Sequence, residues 1–128
     1  MDEFSLQRIL TEAQGYLELG MAVEAWEALE TLPLTGCRLC PGVLAVRLLV
    51  CARLRMWERG DNYLRFVSPE HPDWLRSAAG AYHIARAAQL CLTGQYAAAR
   101  NVVGELSALY PEGRDLVTEC KTLEAMWP

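Results

Sequence analysis

Two cysteines, Cys37 and Cys40, stand three positions apart in Cys-Arg-Leu-Cys, directly before Pro41-Gly42 at an expected helix start. Thiols so spaced can chelate a metal or cycle as a dithiol, and a helix N-terminus lowers the pKa of a nearby thiol. A structural zinc site, however, needs a second pair of ligands. None follows, and the two histidines, His71 and His83, lie elsewhere in the chain. The strand-to-helix setting of thiol redox enzymes is also missing. The plain reading is a loop of small residues, with a redox or metal-responsive pair as the alternative. His83 falls within a helical pattern as a half-buried packing side chain rather than a general base, and His71, in Ser-Pro-Glu-His-Pro, reads as a turn residue. No Gly-rich phosphate loop, paired catalytic carboxylates or serine, histidine and acid constellation stands out. The chain is therefore expected to be no enzyme, with no cofactor and no metal.

What must position these residues is a helical frame. Three small residues, Ala25, Gly60 and Ala99, each sit nine positions after Tyr16, Cys51 and Leu90 and four before Leu29, Leu64 and Val103. Two helices joined by a tight turn approach closely only where one side chain is tiny, so the recurrence marks a repeated helix pair. The intervals between the small residues are 35 and 39, and Pro72 and Pro111 each stand 12 after theirs as helix stops. In the first unit Pro33 comes only eight after Ala25, which shortens its second helix by about one turn.

These frames resemble the tetratricopeptide repeat. The third unit is the fullest match, with Ala87, Leu90, Gly94, Tyr96, Ala99, Val103, Leu106 and Pro111 at pattern positions. In the first unit Ala13, Tyr16, Gly20, Ala25, Leu29 and Leu32 fall in the equivalent places. The second unit departs from the pattern: Leu48 replaces a small residue, Arg55 the turn glycine and Gly60 the packing alanine, while Trp57, Leu64, Val67 and Pro72 fit. Several segments are also similar to small bacterial tetratricopeptide proteins of undefined activity. The resemblance implies an all-α fold, a right-handed α-α superhelix of three helical hairpins plus a C-terminal capping helix. It forms one domain over 1–128, with units at 5–33, 42–72 and 75–111 and the cap at 114–126.

Seven helices are expected, over 5–19, 22–31, 42–57, 59–67, 75–92, 96–109 and 114–126, each bounded by glycine, proline or a polar cap. Trp57, Trp74 and Tyr96 are expected to supply bulk between helices. In this fold the first helix of each unit lines a concave groove. The resemblance assigns that lining to Leu10, Gln14, Leu17 and Glu18, to Ala45, Leu49, Ala52 and Arg53, and to Ile84, Ala88, Cys91 and Leu92. Where some relatives grip a terminal carboxylate, this chain has Leu10, Gln14, Val46, Ala81 and Ala85, so that clamp is absent. A mostly apolar groove suits an amphipathic helix or apolar peptide of another protein. The expected function is thus a protein-interaction scaffold or adaptor. A secretion-type chaperone for an apolar client helix is a related version, and a homodimer filling the groove is a third arrangement.

Composition agrees with one helical domain, since 128 residues that are 52% hydrophobic can bury a core without staples. Five cysteines, an odd number, fit a reducing compartment. No apolar run is long enough for a membrane span, and the opening MDEFSLQRIL carries acids where a secretory signal has bases, so a soluble cytoplasmic protein is expected. Charge is uneven within a net of −4. Residues 1–30 carry a balance of minus six and residues 38–65, with six arginines, plus four. The arginines could recognise an acidic partner or a second copy, but internal pairing is favoured, Glu18 with Arg53 in particular. The overall acidity argues against nucleic acid as a target.

Overall fold

Apolar residues recurring three and four apart set the helical pattern. The computed structural model describes residues 3–33 and 40–110, and among these the chain is all-helical, with no strand. The helices are α1 (Glu3–Glu18), α2 (Ala22–Leu29), α3 (Pro41–Leu54), α4 (Trp57–Leu64), α5 (Asp73–Leu92) and α6 (Tyr96–Leu109). Pro41 opens α3 at a position whose N–H needs no intrahelical partner. The helix expected over 114–126 and Cys37 lie outside the described residues.

One backbone geometry recurs at three sharp reversals among the described residues. Gly20, Arg55 and Gly94 have φ of 77°, 58° and 75°, the left-handed region that ends many helices. The next N–H reaches five residues back: Met21 donates to the Tyr16 carbonyl at 2.8 Å, Met56 to Cys51 at 2.9 Å and Gln95 to Leu90 at 2.8 Å. This is the six-to-one bond of a Schellman turn. At the two glycines its inner bond is also present, from Gly20 to Leu17 and from Gly94 to Cys91, each at 3.0 Å. The same three residues then open the following helix, because their carbonyls accept from Ala25, Gly60 and Ala99 at 3.0, 2.9 and 3.0 Å. The nine-residue interval in the sequence is therefore a closing bond spanning five residues followed by an opening bond spanning four.

Arg55 also corrects an expected boundary. The third helix was expected to run to 57, whereas the left-handed residue stops α3 at Leu54 and lets α4 begin at Trp57.

The chain divides into two compact units, Met1–Phe66 and Val67–Pro128. In the first, α1 packs on α2 and α3 on α4, while α3 also packs on both α1 and α2. Its core contains Ala13, Ala25, Leu29 and Val50, with Tyr16, Trp26 and Leu49 half-buried against it. Gly42 lets α3 start close to α1, since a Cβ there would lie 2.9 Å from Leu10 Cδ1. In the second unit α5 packs on α6 around Ala87, Leu90, Ala99, Val103 and Leu106. Arg76, buried near the start of α5, donates from Nη1 to the Leu109 carbonyl at 3.1 Å and lies 5.3 Å from the Tyr110 ring, tying that end of the hairpin together.

Candidate functional site

Burial separates the expected groove residues into two sets. On α1 and α3, Leu10, Leu17 and Ala45 are buried, and Leu49 packs half-buried against the same core. The exposed members of that face are Gln14, Glu18 and Arg53, with Ala52 half-buried. The first unit thus presents a polar surface where an apolar groove was expected, because Leu10, Leu17 and Leu49 pack into its core and Ala45 is buried. Arg53 does not pair with Glu18; its Nη1 instead faces the Leu17 carbonyl at 3.5 Å.

On α5 the same face keeps its apolar character. Ala81 and Ala88 are exposed, Ile84, Ala85 and Cys91 half-buried, and Leu92 79% exposed. Their spacing of three and four residues lines them along one side of a helix. Burial raises the Cys91 thiol pKa against the lowering field of Arg100.

Cys40, His71 and His83 each make contacts within the fold. Cys40 caps α3, its carbonyl accepting from Leu44 N–H at 3.0 Å, and packs half-buried against the first unit's core. Among the described residues no group of three or more His, Cys, Asp or Glu could hold a metal. His83 is buried rather than half-buried. Its Nδ1 lies 2.9 Å from the Ala79 carbonyl and its Nε2 3.5 Å from a Glu105 oxygen, which links α5 to α6. His71 is a turn residue, its Nδ1 accepting from Ser68 N–H at 2.9 Å. Trp57 and Tyr96 are half-buried, but Trp74, in the first turn of α5, is 54% exposed and supplies no bulk to the interior. No helix of the described residues is long and apolar enough to cross a membrane.

One cluster in the first unit was not anticipated. Arg47 on α3 pairs with Glu30 at 3.0 Å and places its guanidinium carbon 4.3 Å from the Trp26 ring centroid and 5.9 Å from that of Tyr63. Arg59 on α4 lies over the same indole at 5.3 Å. Two cations thus share one aromatic ring, a contact that attracts through the ring quadrupole. Their field reaches Cys51, where both arginines lower the thiol pKa, yet burial dominates and pushes it up from 9.0 to about 11. The available signal was local spacing: Trp26 and Glu30 are four apart, as are Arg59 and Tyr63, so each pair shares a helix face.

Compared with protein-family models, curated proteins and solved structures, the chain matches none.

Proposed function

We propose that this chain is a non-enzymatic, tetratricopeptide-like interaction module that binds a segment of another protein. In this reading the three hairpins stack as a right-handed superhelix and present the sides of their first helices to the partner. The observation that carries it is the backbone geometry shared by the three reversals, each followed at the same offset by a buried small residue. A chain that repeats one hairpin three times is built to extend a surface.

The α5 side is the part of that surface best suited to an apolar partner. Ala81, Ala85 and Ala88 hold little bulk, so a partner's backbone can come close, and Leu92 offers a large exposed contact at the end of the helix. The occupant is the apolar side of an amphipathic helix or extended peptide. Because Leu49 is half-buried in a core, a charge there would also unfold the first unit; Ala88→Glu and Leu92→Glu are cleaner probes.

The test is affinity capture from the native cell extract with the wild-type chain, these two variants, and Leu19→Glu as an exposed control. Loss of the same captured protein with both α5 variants but not with the control is expected, at unchanged helicity. Capture that is indifferent to Ala88 and Leu92 would overturn the reading.

A further inference from the structure

The arginine–aromatic cluster of the first unit is more than a packing device. Arg47 illustrates what such an arrangement does. Its guanidinium rests on Trp26, its planar edge meets the Glu30 carboxylate at 3.0 Å, and its side chain is only 14% exposed. Stacking on a ring fixes the plane of the guanidinium while leaving its in-plane N–H donors free to form paired bonds with a carboxylate. Arg59 also lies over the same indole, its guanidinium carbon 5.3 Å from the ring centroid, but it is exposed, and among the described residues it forms no ion pair.

We infer that Arg59, held against Trp26 beside the Arg47–Glu30 pair, is a docking point for an acidic side chain of a partner protein. The local charge fits this ligand. Arg47 is neutralised by Glu30, which leaves the cluster with the single positive charge of Arg59. One cation beside an aromatic surface suits one carboxylate flanked by apolar atoms. A nucleic-acid backbone asks for several cations, and α1 and α2 oppose a polyanion with exposed Glu12, Glu18 and Glu27 and half-buried Glu24. Holding the guanidinium in advance lowers the ordering cost that an exposed arginine normally meets on binding. The site sits on helices other than α5, so it stands or falls independently of the apolar stripe there.

The probe is a fluorescein-labelled peptide with a single glutamate flanked by leucines within a neutral serine-glycine frame, followed by anisotropy with wild-type chain, Arg59→Ala, Arg59→Lys and Arg65→Ala, each checked for helicity by circular dichroism. Wild-type chain is expected to bind saturably. Affinity should fall about tenfold in both Arg59 variants, because lysine keeps the charge but not the planar fork, and should hold in Arg65→Ala, which removes another exposed arginine of the same unit. Absence of wild-type binding would overturn the proposal. So would an equal loss in Arg65→Ala, full retention in Arg59→Lys, or displacement of the peptide by an oligothymidylate as effectively as by its unlabelled self.

Discussion

Cys51 shows how burial and charge compete at a single residue. Arg47 and Arg59 both favour its thiolate, yet desolvation wins and the thiol pKa rises from 9.0 to about 11. The folded chain therefore holds this proton more tightly than the unfolded chain does. Between about pH 9 and 11 it carries more protons folded than unfolded, so this contribution to stability is complete below that window and is lost as pH climbs through it. Urea denaturation across the window should show a steeper loss of stability in wild-type chain than in Cys51→Ala; parallel losses in the two would refute the assignment. At neutral pH the same thiol should resist alkylation, since the thiolate is the reactive form. An exposed cation–π contact is worth about 0.5–1 kcal/mol and gains as it is desolvated, so the largely buried Arg47 matters more to stability than the exposed Arg59, which is left available for binding.

Hairpin geometry is the lesson at the scale of elements. A non-glycine residue in the left-handed region costs roughly 1–2 kcal/mol, and Arg55 alone among the three turn residues bears that cost. Arg55→Gly should raise stability by about 1 kcal/mol after glycine's greater unfolded freedom is subtracted, while Gly20→Ala and Gly94→Ala should lower it by a similar amount. Thermal melts of the three variants check both signs, and a destabilised Arg55→Gly would contradict the shared turn. The glycines, the small residues and their fixed offsets made the hairpins legible in the sequence. Helix ends were less so. The α3 boundary is not legible because a left-handed arginine has no sequence signature comparable to glycine's, and Trp74 departs from expectation because a position where the repeat pattern wants bulk does not guarantee that a neighbouring helix covers it. The site was legible only in part: the residues that the resemblance assigned on α5 lie on an exposed side of that helix, but on α1 and α3 the apolar residues Leu10, Leu17 and Ala45 are core. Periodicity identifies which residues share a face but not whether a neighbouring helix covers it. Charge tallies likewise foresaw internal pairing while naming Glu18 and Arg53, because the choice of partner depends on helix rotation, which brings Glu30 to Arg47.

At the scale of the whole molecule, each of three hairpins carries a buried small residue five positions after its left-handed turn residue, the place where closely packed helices need a nearly absent side chain. Ala25 lies fully buried in the core of the first unit and Ala99 in that of the second, each four residues before an apolar partner, Leu29 and Val103. Gly60 holds the equivalent buried place on α4. The most direct measurement is therefore the unfolding free energy of Ala25→Leu and Ala99→Leu, and of Gly60→Leu relative to Gly60→Ala, with leucine at the exposed Ala97 and Ala108 as controls. Overpacking should cost about 1–3 kcal/mol at each of the three crossing sites and nearly nothing at the controls. If any of the three accepts leucine as easily as Ala97 does, the hairpins do not cross at these residues and the repeat that underlies the proposed function is wrong.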